Sequence, residues 1–368
     1  MPDFDWSRQS VKQCTSLHPY IPGKPVEQLL REKGLVSAIK LASNENSYGP
    51  SPKAIEAIRN HAGEVHRYPD GDAGELKHAL ANQHNVKPEN ILIGNGSNEV
   101  LELMIRTFAG SGDEVVYSEH AFIVYTLAAV AAGASGVAVP EADGLSHDLD
   151  AMARAVTDRT HVICMANPNN PTGTLHDLTT IQTFLDALPR HVVVILDEAY
   201  YEYTAATIGD SIGRLSHPGL VICRTFSKAY GLAGLRVGYA VGNADMLALV
   251  NRFREPFNVN ALAQKAACAA LDDTDWVLEK VNITLDEREK IQGFLAENGL
   301  LGGTSHGNFV LLKHPQSARI LQELENEGII PRPLAPYGMP EYLRITVGTA
   351  KENSQFMVAI KKIMRDIE

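Results

Sequence analysis

Between residues 91 and 241 short apolar runs alternate with amphipathic stretches. Ile91 to Gly94, Glu114 to Tyr117, Gly136 to Val139, His161 to Met165, Val192 to Leu196, Leu220 to Cys223 and Val237 to Val241 read as buried strands. They are short, mostly rich in β-branched residues and bounded by turn formers. Among them Val100 to Phe108, Phe122 to Ala132 and Thr179 to Leu188 read as helices. That alternation predicts a mostly parallel sheet with helices on both faces and ligand residues at the C-terminal strand ends.

Upstream, Val26 to Gly34 predicts a short helix closed by glycine, and Lys53 to Ala62 and Gly74 to His84 predict two more. Beyond about residue 250 the character changes. Ala261 to Leu271 and Trp276 to Glu297 read as long helices, the second a connector between domains. Asn308 to Leu312 and Tyr342 to Val347 read as strands, Ser317 to Glu327 and Asn353 to Ile367 as helices. A smaller α+β domain closing against the first is expected. The expected division is 1–47 for an N-terminal arm and part of the small domain, 48–255 for the large domain and 256–368 for the small one.

Length and composition narrow the function. The 368 residues bury a large core, and 45% hydrophobic with 21% charged residues is ordinary for a soluble enzyme. A net charge of −11 without a Lys/Arg-rich run argues against a sequence-independent nucleic-acid surface. The four cysteines, Cys14, Cys164, Cys223 and Cys268, lack CxxC spacing, so free thiols in a reducing compartment are expected and no metal. No apolar stretch reaches the ~18 residues of a membrane span, and the N-terminus does not read as a signal peptide. A cytoplasmic location follows as the expectation. The proline-rich arm His18 to Pro25 reads equally as a surface tail or as a cover for a cleft or a partner subunit.

Candidate chemistry centres on Thr225-Phe226-Ser227-Lys228-Ala229-Tyr230-Gly231-Leu232-Ala233-Gly234-Leu235-Arg236. Its lysine sits where a loop leaves a strand, among hydroxyls that with Arg236 supply donors for a phosphate. Held beside an anionic cofactor, such a lysine loses its proton and forms a Schiff base with an aldehyde. Taken alone it reads first as an exposed surface lysine, the usual place for one. Gly94-Asn95-Gly96-Ser97-Asn98-Glu99 joins a strand to a helix start, an anion site by its free N–H groups, although such turns also occur without a ligand. The loop Leu41 to Pro52 reads either as a connection or as a presenter of side-chain donors. Asn167 to Gly173 follows one strand. Asp197, in Asp197-Glu198-Ala199-Tyr200, ends another, either as a cap or as a buried carboxylate in use.

In that order, GSNE, NPNNPTG, DEAY and TFSKAYGLAGLR resemble the fold-type I pyridoxal-phosphate aminotransferases. The LASNENSYGPSP loop, Ile330-Pro331-Arg332 and Tyr342 to Gly348 resemble, within them, the histidinol-phosphate aminotransferase family. The likeness runs from about Leu17 to Thr349. It implies an α/β fold with a large helix-sandwiched, mostly parallel sheet, a smaller α+β domain, and pyridoxal 5′-phosphate as cofactor. Lys228 matches the Schiff-base lysine and proton shuttle. Asp197 matches the partner that keeps the pyridine nitrogen protonated, and Asn170 and Tyr200 match donors to the 3′-oxygen. Ser97, Asn98, Thr225, Ser227 and Arg236 match the phosphate cup, and Phe122 the ring stacked on the cofactor. Tyr48 resembles a tyrosine reaching the phosphate from a neighbouring subunit, which implies a homodimer with shared sites. Arg344 and Arg332 match the grips for substrate anions, and Tyr20 and Asn308 positions on the substrate side.

The implied reaction is transamination between L-histidinol phosphate and 2-oxoglutarate, giving imidazole-acetol phosphate and glutamate, in histidine biosynthesis and physiologically in reverse. Two rivals share the scaffold: an aromatic amino-acid aminotransferase and a decarboxylase of phosphorylated amino acids. A transcription regulator is disfavoured, since only about 20 residues precede the arm, too few for a helix-turn-helix domain, and the charge is acidic.

Overall fold

The structure, a computed structural model, describes residues 5–17 and 23–367. In chain order the strands are β1 (Ile39–Leu41), β2 (Ile91–Gly94), β3 (Glu114–Ser118), β4 (Ser135–Val139), β5 (Thr160–Ala166), β6 (Val193–Asp197), β7 (Leu220–Thr225), β8 (Gly238–Gly242), β9 (Phe309–Lys313), β10 (Ile329–Pro333) and β11 (Tyr342–Thr346).

Seven strands form one sheet in the order β2-β8-β7-β6-β5-β3-β4. All its pairs are parallel except those of β8, which runs antiparallel to both β2 and β7. A parallel return needs a crossover that spans the sheet, usually helical, whereas the lysine-bearing connection from β7 to β8, residues 226–237, holds only the short turn Ala233–Leu235 and brings the chain back antiparallel beside β7. Because successive residues point to opposite faces, the central strands supply two apolar layers. Cys164, Ile195 and Val221 pack with Val100, Met104 and Tyr125 on one face. Ile163, Val194, Leu196 and Ile222 pack with Ile181, Phe184 and Leu185 on the other.

The second sheet has the order β1-β10-β11-β9, with β1 parallel to β10 and the remaining pairs antiparallel. The helices Thr274–Glu297, Ser317–Asn326 and Ala350–Ile367 cover it through Ile291, Leu295, Ile320, Leu324, Phe356 and Ile360.

Most expected elements are present with shifted ends. The helix Ser97–Phe108 starts three residues earlier than expected, because Gly96 at φ 82° turns the chain straight out of β2. The strand β1 and the short helices Leu149–Arg154 and Ala244–Val250 were not expected, being too short to show a period. The helix Ala261–Leu271, which the sequence reading places in the smaller domain, packs Ala263, Ala266 and Ala267 with Ala54 and Leu80 of the helices Pro52–His61 and Gly74–His84 and with Ile93 and Tyr239 of the large sheet.

Beneath the ends of β6 and β7 lies a buried ion pair. Arg224 donates from Nε and Nη2 to Glu198 Oε2 at 2.9 and 2.8 Å, and from Nη2 to Asp210 Oδ1 at 2.6 Å. Its guanidinium lies 3.4 Å from the centre of the Tyr201 ring. Removing one partner leaves the other charged, dry and alone, so Arg224→Ala is expected to lower unfolding free energy by about 3–5 kcal/mol in urea denaturation. Exchange of both partners for apolar residues of similar volume should recover most of that loss. A change within about 0.5 kcal/mol for Arg224→Ala would show the pair to be dispensable.

Candidate active site

The C-terminal ends of β5, β6 and β7 open on a cavity of about 190 Å³. Strand geometry explains its lining. Asp197 and Thr225 are the last residues of β6 and β7, Asn170 lies in the loop after β5, and Ser97 begins the helix after β2. Arg332 and Arg344 come from β10 and β11, where they are direct cross-strand partners. The cavity is therefore walled by both sheets.

The structure brings together on this cavity Ser97, Asn98, Phe122, Asn170, Asp197, Tyr200, Thr225, Ser227, Lys228, Arg236, Arg332 and Arg344. Three expected residues are not among them. Tyr20 lies outside the described residues. Asn308 is buried away from the cavity and donates from Nδ2 to the Asn44 carbonyl at 3.0 Å, so it supports the wall rather than forming it. Tyr48 packs within its own chain, where Lys280 lies 5.7 Å from its ring and its hydroxyl meets the Ala350 backbone.

One end of the cavity is an anion cup. The N–H groups opening the helix Ser97–Phe108 face it with the hydroxyls of Ser97, Thr225 and Ser227 and the Arg236 guanidinium. Arg236 Nη1 donates to Ser227 Oγ at 3.2 Å. A β-carbon on Gly96 would stand 2.3 Å from Arg236 Nη2, so glycine there is what lets the arginine lie across the cup. The donors present suit a dianionic phosphate.

At the other end Lys228 and Asp197 share a dry environment. Burial, then Arg344 and Arg236, draw the Lys228 amine down to about 8, against the opposing pull of Glu45 and Asp197. Burial pushes Asp197 up to about 6, against the Tyr125 hydroxyl, the Ala199 N–H and Lys228. Near neutral pH the carboxylate is thus ionised while the amine is within reach of its neutral, nucleophilic form. Lys228 Nζ donates to the Ser43 carbonyl at 3.1 Å.

Tyr125 was missed by sequence reasoning. It is fully buried, and its hydroxyl donates to Asp197 Oδ2 at 2.9 Å. No local signal marks it, since it reads as one more apolar position on a helix. Ala42, Ser43, Asn44 and Tyr337 also line the cavity unforeseen. Arg344 Nη1 donates to Asn170 Oδ1 at 2.5 Å and Nη2 to the Ala42 carbonyl at 2.9 Å. Its buried Nε has no hydrogen-bond partner, which leaves a donor for an anion entering the cavity.

A nucleophilic lysine and a buried carboxylate beside a phosphate cup, at the C-terminal edge of such a sheet, define an aminotransferase of class I and II. The family of that description matches residues 36–360. Histidinol-phosphate aminotransferase 2 of Hydrogenovibrio crunogenus is 47% identical over 358 residues, covering 96% of each chain. Histidinol-phosphate aminotransferase 2 of Pseudomonas fluorescens is 46% identical over 353 residues, covering 95% of each. The crystal structure of histidinol-phosphate aminotransferase from Sinorhizobium meliloti in complex with pyridoxal-5′-phosphate superposes with a TM-score of 0.89 at 30% identity, covering 98% of each chain. The chain belongs to the histidinol-phosphate aminotransferase family.

The Tyr125 contact has a measurable consequence. Loss of a donor to an anion raises that anion's pKa, so Tyr125→Phe should lift the Asp197 midpoint by about one unit above its starting value near 6. Carboxyl carbon resonances of the cofactor-free protein, titrated with pH, read this directly. An unmoved midpoint would show that burial alone sets it.

Proposed function

We propose that the protein is a pyridoxal-phosphate-dependent histidinol-phosphate transaminase of histidine biosynthesis. The observation that carries this is the pairing of one phosphate cup with two adjacent arginines across the Lys228–Asp197 centre. Histidinol phosphate brings a phosphate, whereas glutamate and 2-oxoglutarate bring carboxylates, and neighbouring guanidinium groups accommodate both kinds of anion.

When bound, pyridoxal phosphate supplies an aldehyde and an electron-withdrawing ring through which an amino group is exchanged. The residues of the chain hold and serve it. Ser97, Asn98, Thr225, Ser227 and Arg236 receive its phosphate. Asp197, ionised and oriented by Tyr125 and Ala199, holds a proton on the pyridine nitrogen. Asn170 has its amide oxygen occupied by Arg344, so its NH2 group donates inward, with Tyr200, toward the 3′-oxygen. Phe122 offers its face to the ring. Lys228 would be the residue that binds the cofactor's aldehyde and the base that moves the proton at the substrate's Cα. Arg344 and Arg332 grip the substrate anion.

We also propose a cytoplasmic homodimer. Cys164 and Cys223 are buried free thiols, which suits a reducing compartment, and no helix among the described residues is long and apolar enough to cross a membrane. For the dimer, Val65, Tyr68, Phe253 and Phe257 are exposed on loops tied by the Arg254 Nη1 bond to the Gly71 carbonyl at 2.7 Å. Tyr68 stacks on Phe257 at 4.7 Å between ring centres. Of the two tyrosines, Tyr68 is the one such a face carries toward a neighbouring copy, and we assign the inter-subunit role to it in place of Tyr48. Within one copy we place the large and small domains around the two sheets, with the change of packing partner along Thr274–Glu297 rather than at residue 256.

Single-turnover spectra of the pyridoxal-phosphate form, with L-histidinol phosphate, L-phenylalanine and L-glutamate in turn, test the reaction. Conversion is expected to be fastest with histidinol phosphate and to be reversed by 2-oxoglutarate. Equal or faster conversion by phenylalanine would make the protein an aromatic aminotransferase. Sedimentation tests the assembly: the wild type should run as a dimer and Phe253→Asp/Phe257→Asp as a monomer. An unchanged sedimentation coefficient would move the interface elsewhere.

A further inference from the structure

Asn44 is buried and sits at φ 53°, in the left-handed region that few residues other than glycine and asparagine occupy readily. Both its backbone groups and both its side-chain groups are engaged. Its N–H donates to Thr346 Oγ1 at 2.9 Å, and its Oδ1 accepts from the same hydroxyl at 3.2 Å. Its carbonyl accepts from Asn308 Nδ2 at 3.0 Å. Its Nδ2 donates to the Tyr200 hydroxyl oxygen at 2.8 Å. Thr346 ends β11 and Asn308 immediately precedes β9, so three of these bonds fasten Asn44 to the small sheet. The fourth reaches Tyr200, three residues beyond β6 of the large sheet.

The directions of these bonds matter. An amide NH2 group donates and never accepts, so at this contact Tyr200 is the acceptor. Its own hydrogen must therefore point elsewhere, and Tyr200 lines the cavity. The phenol also keeps that hydrogen, because burial pushes it up to about 12 even though Arg344 and Asn44 pull the other way. A phenol that accepts one hydrogen bond is polarised into a better donor of another. We propose that Asn44 is a positioning residue that turns the Tyr200 proton toward the cofactor's 3′-oxygen and does so only while the small sheet holds it in place. Resting on the pyridoxal-phosphate reading above, this gives β11 two routes to the cofactor's donors. Arg344 occupies the acceptor side of Asn170, and two residues on, Thr346 holds the asparagine that occupies the acceptor side of Tyr200. The strand that grips substrate also sets the donors that tune the ring.

The test is a pH titration of the visible absorption band of the lysine-linked cofactor in the holoenzyme, for wild type, Asn44→Gly, Tyr200→Phe and the double variant. Glycine tolerates the left-handed backbone, so the fold is retained. A weaker donor at the 3′-oxygen destabilises the deprotonated form, and Asn44→Gly should raise the midpoint by about half to one pH unit. In the Tyr200→Phe background the same substitution should add nothing. Equal shifts in both backgrounds, or none in either, would overturn the proposal. Thr346→Val, which leaves Asn44 in the chain but removes the hydroxyl that holds it, should move the midpoint the same way by less. Absence of the band in wild type would strike the cofactor reading instead. In that case the ring-carbon resonance of the Tyr200 phenol in the cofactor-free protein decides: it should move on Asn44→Gly, and a stationary resonance would overturn the proposal.

Discussion

The buried pairing of Arg224 with Glu198 holds the ends of the two central strands, and the site hangs from those ends. Each residue of the pair adjoins a cavity residue, Thr225 in one case and Asp197 in the other. Adjacent residues face opposite ways, so the ion pair lies under the sheet where the functional side chains lie over it. The same guanidinium is covered by Tyr201, the neighbour of Tyr200. A charge pair so thoroughly removed from water tolerates little displacement, since lengthening its bonds leaves two desolvated ions uncompensated. That intolerance ties the segment carrying Asp197 and Tyr200 to the strand end that leads into Lys228.

Around this anchor the cavity is graded in charge. Its cup end is lined by helix N–H groups, hydroxyls and Arg236, its far side by Arg332 and Arg344, and Asp197 stands among them as the buried anion. The cationic surroundings discourage a second positive charge, and this is part of why Lys228 is drawn toward neutrality without an adjacent base. The carboxylate is held by donors on both of its oxygens, from Tyr125 and Ala199. Lysine and carboxylate therefore reach complementary states through different neighbours.

Much of this was legible in the sequence. Buried parallel strands announce themselves as apolar runs, and residues at their C-terminal ends are where such sheets bind ligands, so Asp197, Thr225 and Lys228 stood out as candidates whose roles only the family resemblance supplied. What escaped depended on contacts distant along the chain. Tyr125 meets Asp197 only because its helix packs on the sheet, and an apolar helical position carries no mark of a useful hydroxyl. Asn308 was expected on the substrate side, yet its NH2 group is turned to the Asn44 carbonyl. Tyr48 lies in the polar loop where a ligand donor was expected, but it turns into its own chain beside Lys280. The three residues of β1 are too few to establish a period and become a strand only by pairing with β10.

That last pairing joins segments far apart in sequence, Ile39 with Ile329. During synthesis from the N-terminus, β1 must wait for nearly the whole polypeptide before its partner exists. The large sheet, from β2 to β8, is by then complete, and so are Asp197, Lys228 and the phosphate cup. Arg332 and Arg344 enter only with the final strands, beside β1. A growing chain thus contains the anion cup, Asp197 and Lys228 well before the two arginines that face them, and β1 is the early edge against which the late strand β10 comes to pair.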